Sequence, residues 1–294
     1  MLSERSGSGR VIPTLGKPLG SLITRIEAEF PGRLLIGPVD HARWRSDLES
    51  EGLCWECLGS RDSTIRSEKP GTSIDSTALR RGVRVYQMAY SPTNQLAGSS
   101  TPGDDRGLLD LGRDFLSTLL DLAPAPAHEG PRPILDLAHL NPTAMSDVLT
   151  WFEADSDRAS RVPLVYSHGG IAQEDSAPAR LLQIEPLRRL RALGGVVGLT
   201  PAPPFHHSSE EFRAGLERVA TFPGPSGPGF GGVAIGSDIL GVEQLLPDLP
   251  NVEALIGWLG RTFDPLDAGR IVHDSARRLI EQAIGCDPSH PVAV

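Results

Sequence analysis

The chain has 294 residues, a formal charge of −9 and 39% hydrophobic side chains, enough for one large α/β domain or two smaller ones. The acidic balance, with no basic stripe, argues against a nucleic-acid partner, and no apolar run approaches the roughly 18 residues of a membrane span. MLSERSGSGR lacks the apolar core of a signal peptide, so a cytoplasmic protein that handles a small molecule is expected, with a homodimer left open.

Residues 1–19 are rich in Ser, Gly and Pro and are expected to be a flexible lead, followed by one domain over 20–286 and a tail over 287–294. Ser21 to Phe30 reads as a helix and RLLIG as a strand, and Asp40 caps a helix running to about Glu51. GLCWECLG is a further strand candidate. Its Cys54 and Cys57 form a lone C-x-x-C, but on a strand they point to opposite faces and read as two structural thiols. RVYQMAY is followed by a helix in GLLDLGRDFLSTLLDLA, PILDLAHL by a helix in AMSDVLTWFEAD, and PLVYSHGG by a helix in PLRRLRALG. GVVGLTPA precedes SSEEFRAGLERVA, whose Ser208 and Glu211 spell a capping box. GGVAIGSDILG is the last clear strand, before helices in VEALIGWLGR and PLDAGRIVHDSARRLIEQAIG.

Short apolar strands alternating with helices imply parallel strands joined by crossover helices. No G-x-G-x-x-G follows the first strands, there is no Walker loop, and GPSGPGFGG precedes a strand, so no phosphate cradle is expected. The polar residues Glu56, Tyr90, His139, His168 and Asp238 fall at strand ends. A (β/α)8 TIM barrel would gather all of them on its catalytic face. Asp136, a charge within the otherwise apolar run Ile134 to Leu140, stands out in a strand built for burial.

Two histidines and a carboxylate on neighbouring strand ends can supply three ligands to Zn²⁺ and leave a position for water. The metal lowers the pKa of that water toward ~7 and polarises a carbonyl, and Asp238 could accept and return the proton. Taken singly, each residue is weak evidence: a strand-end histidine is more often structural, and an aspartate after Gly-Ser is often a turn or cap residue. Their convergence in one α/β pattern points to a site.

Over about Ser21 to Gly285 the chain resembles the membrane (renal) dipeptidase family of zinc peptidases, (β/α)8 barrels of the metal-dependent hydrolase, amidohydrolase-like type. RRGVRVYQMAYSPTNQLAGSS with GLLDLGRDFL is similar to the family stretch GVRYLTLTHN…N…ADSS…GL…FGR. PILDLAHLNPTAMSDVL resembles its DLSH-type strand and following helix, PLVYSHGG its PVIxSHS strand, and GGVAIGSDILG its GSDFDG segment. The resemblance implies that His139 and His168 bind metal and that Glu56, in CWECLG, matches the bridging glutamate, with Glu68 as the fallback. It further implies that Asp238 handles protons at the scissile bond and that Arg180 holds the substrate's terminal carboxylate, a role suited to its planar fork of donors.

Three departures stand beside it. The family's H-x-D pair on the first strand is missing, Asp40-His41 having the reverse order; the histidine of LTHN is Tyr90, and the second aspartate of GSDFDG is absent. A degenerate first strand and one zinc ion rather than two are therefore expected, with Glu56, His139 and His168 as ligands. His206 and His207 read as solvated loop residues on the catalytic side, with an alternative ligand role left open. The function implied is hydrolysis of a dipeptide or related amide by zinc-activated water. Two alternatives stay open: a barrel that has lost catalysis and binds a partner, and a changed amide chemistry in a specialised pathway.

Overall fold

The strands that the apolar runs predict form a single wall. The structure, a computed structural model, describes residues 84–90, 95–125, 130, 132–173, 178, 180–238, 242 and 244–284. Glu56, Glu68, the Cys54–Cys57 pair, Asp40-His41, the first predicted strands and helices and both domain boundaries lie outside the described residues.

Five strands, β1 (Val85–Gln87), β2 (Ile134–Asp136), β3 (Leu164–Tyr166), β4 (Val196–Leu199) and β5 (Val233–Ile235), each pair in parallel with their sequence neighbours. The resulting order, β1-β2-β3-β4-β5, never reverses. A doubly wound sheet reverses at its switch point, so this monotonic order is that of a (β/α)8 barrel wall.

Helices α1 (Asp110–Leu122), α2 (Pro142–Glu153), α3 (Ser156–Arg161), α4 (Ile184–Ala192) and α5 (Ser209–Thr221) form the crossovers. After β5 come α6 (Val252–Thr262), α7 (Pro265–Gly269), a π-helical turn (Arg270–Asp274) and α8 (Ser275–Ile284). Leu135, Leu164, Val197 and Val233 face outward and share one core with Phe115, Leu149, Phe152, Leu190, Phe212 and Leu216 of the helices. Each fully buried side chain of this size contributes about 1.5–3 kcal/mol, so the outer face holds most of the apolar burial among the described residues.

The inner face is small and graded. Ile134, Val165, Val196 and Ala234 meet Ala283 and Leu279 of α8, which close the bottom of the wall with apolar atoms. Side chains alternate along a strand, so Asp136 also points inward, two residues above Ile134. The interior therefore turns from apolar to polar toward the C-terminal rim.

Local sequence explains the element boundaries. Pro142 opens α2, and the Asn141 side chain accepts from the Ala144 N–H at 2.7 Å. Ser208 caps α5 by accepting from the Glu211 N–H at 3.2 Å, but Glu211 reaches back to the N–H of His207, one residue earlier than a capping box requires. The single C-terminal helix expected over PLDAGRIVHDSARRLIEQAIG is interrupted by the π-helical turn. There the Ser275 hydroxyl leaves the helix surface to accept from the Gly232 N–H at 2.9 Å, tying the helix to the foot of β5.

His206 corrects another expectation. It is buried, with Nδ1 2.8 Å from the Thr200 carbonyl and its ring edge-on to Phe212, so it is a core residue and not a solvated one. Arg191 is buried as well and organises the Gly/Pro-rich connector: its guanidinium donates to the carbonyls of Phe222 (3.3 Å), Gly229 (3.0 Å) and Gly231 (2.5 Å). A methionine there could fill the space but would leave three carbonyls without donors. Arg191→Met is expected to lower stability by about 3 kcal/mol, read from urea unfolding.

Candidate metal centre

His139 leaves β2 in a turn. Ala138 and His139 follow the strand, the Leu140 N–H donates back to the Leu137 carbonyl, and His139 takes a left-handed φ of 69°. Its carbonyl accepts from the Ser100 N–H at 2.7 Å, and Gln87 on β1 donates to the neighbouring Ala138 carbonyl at 3.1 Å. The backbone at this position is held from both sides, as an unfavourable conformation in a non-glycine residue requires. Asp238 is the other non-glycine described residue with positive φ, at 46°. Both are residues that the sequence nominated for chemistry.

His168 sits just beyond β3. The Nε2 atoms of His139 and His168 lie 3.0 Å apart, with ring centroids separated by 5.0 Å at 63°. Tyr90 packs on His139 with a centroid distance of 4.5 Å. The Arg180 guanidinium reaches Nδ1 of His139 and lies 5.5 Å from the Phe205 ring, while the Tyr166 hydroxyl supports the Arg180 carbonyl at 3.3 Å. Four of the six nominated residues thus form one cluster. Asp238 is close enough that its charge favours the protonated form of His168. Glu56, the sixth, lies outside the described residues.

Two residues beneath this cluster escaped the sequence reading as site members. Asp136 is buried; its Oδ1 accepts from the N–H groups of Ala138 (3.0 Å) and Ser167 (3.1 Å), and its Oδ2 lies 2.6 Å from the Ser167 hydroxyl. The same hydroxyl is 2.7 Å from Nδ1 of His168. Burial raises the Asp136 carboxyl above the usual range, opposed first by the Ser167 hydroxyl and then by the Ala138 N–H and the charge of His168. The sequence carried a signal for Asp136, a charge in an apolar strand, and none for Ser167.

Two further contacts fix the depth of the site. Thr200 donates its hydroxyl to the Gly236 carbonyl at 2.7 Å and accepts from the Gly169 N–H at 2.8 Å, stitching the ends of β3 and β5 across β4. A Cβ on Gly198 or Gly236 would stand 2.3 or 2.1 Å from the Ser167 carbonyl oxygen, so only glycine fits at either position.

The imidazole pair suits a divalent cation. Two nitrogens at 2.0–2.1 Å from zinc on tetrahedral directions stand about 3.3 Å apart, near the observed separation. Burial, the leading cause, lowers the pKa of His168 and favours the neutral ring that a metal needs, against the pull of Asp136 and Asp238. Among the described residues, no three His, Cys, Asp or Glu side chains group closely enough to hold an ion. The candidate ligands among the described residues are therefore His139 and His168.

No family model matches the chain, and neither does any curated protein sequence. Solved structures do match in fold. A metallopeptidase from Rhodobacter sphaeroides, liganded with a phosphinate mimic of the dipeptide L-Ala-D-Ala, superposes with a TM-score of 0.60 at 19% identity, over 90% of this chain and 73% of that one. PvdM of Pseudomonas aeruginosa, described as a probable dipeptidase, gives 0.61 at 17%, over 90% and 78%. The metallopeptidase named dipeptidase AC gives 0.54 at 21%, with 72% of this chain spanning 60% of its length. This chain shares its fold with these peptidases. No helix among the described residues is long and apolar enough to cross a membrane.

The histidines predict a pH dependence. Burial is the leading cause that holds His168 and His206 below the ordinary 6.5 in the folded chain. Below pH 6.5 the unfolded chain therefore binds more protons than the folded one, and stability present above that pH is lost as pH falls toward the folded values. Urea midpoints measured between pH 7.5 and 5.5 should fall less steeply in His206→Gln than in the parent. Equal slopes would count against the assignment for His206.

Proposed function

We propose that this chain is a divergent member of the membrane dipeptidase family, a metal-dependent hydrolase acting on a dipeptide or related amide in the cytoplasm. One observation carries the reading: Nε2 of His139 and Nε2 of His168 converge to 3.0 Å at the C-terminal rim of a barrel wall. Rims of this kind carry the chemistry of such barrels. The fold shared with peptidases, one of them holding a dipeptide mimic, supports the substrate class.

His139 and His168 would hold one zinc ion, with Glu56 as third ligand. When bound, the cation supplies Lewis acidity and an acidified water. Asp238 takes the proton of the attacking water and returns it to the departing amine nitrogen, a general base turned general acid. Tyr90, packed on His139, orients the substrate carbonyl. Arg180, which donates to His139 in this structure, turns its fork to the substrate's terminal carboxylate.

The alternative of a binding barrel without turnover is favoured by the two-ligand count among the described residues and by the missing H-x-D pair. Metal analysis with a dipeptide panel separates the two. One equivalent of zinc with turnover, both abolished in His139→Ala/His168→Ala, is the expected result. Tightly held zinc without turnover on any dipeptide would overturn the hydrolase. Arg180→Lys is expected to raise KM for substrates with a free carboxylate about tenfold with kcat little changed, and to leave amidated substrates unaffected.

A further inference from the structure

We propose that Asp136 and Ser167 are positioning residues that lock the His168 ring in its Nδ1–H tautomer and aim the Nε2 lone pair at the mouth of the barrel. The inference rests on the metal-centre reading above and extends it to two residues beneath the ligands.

Five side chains form one continuous chain: Asp136, Ser167, His168, His139 and Arg180. A guanidinium can only donate, and Asp136, whose two oxygens take the Ala138 and Ser167 N–H groups and the Ser167 hydroxyl, is the accepting end in its ionised form. From the Asp136 end, Oδ1 is filled by two backbone N–H donors, and Oδ2 takes the Ser167 hydroxyl proton at 2.6 Å. The serine oxygen is then left with lone pairs, so it receives Nδ1–H of His168 at 2.7 Å. A neutral imidazole protonated on Nδ1 carries its lone pair on Nε2.

The Arg180 end gives the same answer independently. Its N–H makes Nδ1 of His139 an acceptor, which puts the His139 proton on Nε2. That N–H donates across 3.0 Å to Nε2 of His168, which must be an acceptor. Both ends therefore assign His168 the tautomer whose Nε2 can bind a metal, whereas His139 takes that tautomer only when Arg180 turns away and the His139 proton moves to Nδ1. Rotation of the ring is blocked as well, since Nδ1 is held to a serine whose own N–H is bonded to the same carboxylate. Carboxylate–histidine arrangements of this type fix ligand orientation at metal sites. Here a serine hydroxyl is interposed.

Asp136→Asn tests the polarity with little change of shape. The amide oxygen can still accept from the Ala138 and Ser167 N–H groups, but the amide nitrogen donates to Ser167. The serine proton then turns to Nδ1 of His168 and drives the ring into its Nε2–H tautomer. In full-length, metal-free protein labelled with ¹⁵N-histidine, ring nitrogen shifts should report Nδ1–H for His168 in the parent and Nε2–H in Asp136→Asn. Zinc Kd, measured by competition with a chromogenic chelator, should rise roughly 10–100-fold in the variant. Should Asp136→Asn fail to fold, Ser167→Ala keeps both backbone N–H bonds to Asp136 but frees the His168 ring to rotate, and is expected to give a comparable rise in Kd. An unchanged tautomer with zinc Kd within about twofold of the parent would overturn the relay. If the tautomer switches but the parent binds no zinc, the relay stands and the metal-centre reading fails.

Discussion

Asp136 is a carboxylate inside the barrel wall, and the order of the site follows from satisfying it there. A buried carboxylate without donors is costly enough to take up a proton or disrupt the fold. The donors it finds come from two elements: the Ala138 N–H from its own turn, and the Ser167 N–H and hydroxyl from the end of β3. Meeting that demand fixes where β2 turns, which places His139, and where β3 ends, which places His168. The two imidazoles converge because one acceptor gathers the backbones beneath them.

The strain at the rim follows the same logic. His139 and Asp238 adopt left-handed backbone conformations that a non-glycine residue enters only where its surroundings compel it. At His139 the compelling contacts are visible: the Ser100 N–H on its carbonyl, the Leu137–Leu140 turn, and Gln87 on the carbonyl before it. A histidine restricted in this way has little freedom to relax, which is the condition for a preorganised ligand or positioning group.

Much of the architecture was legible in the sequence because burial on a barrel wall is written in runs. PILDLAHL, PLVYSHGG and GVVGLTPA each deliver a continuous apolar strand, and all three occur where expected. The meeting of His139, His168, Tyr90 and Arg180 was also legible, through the order of the motifs. Ser167 was not, because a serine beside a strand-end histidine has no periodicity to distinguish it from a loop residue. The burial of His206 was hidden for a similar reason: Thr200 and Phe212 enclose it only after β4 and α5 have packed. The π-helical turn before α8 answers to Gly232, more than forty residues away in sequence, and no local window contains that information.

Gly198 and Gly236 carry a consequence for how this barrel could diversify. With no side chain at either position, the backbones of β3, β4 and β5 close into a solid floor directly under His168. Whatever enters from the rim meets peptide groups there and can go no deeper. A bulkier or longer guest cannot be accommodated by hollowing out that wall, since any added carbon would displace the strand end that carries the histidine. Selectivity on this side would therefore have to come from the segments that follow the strand ends, which can change length and composition while the floor stays as it is.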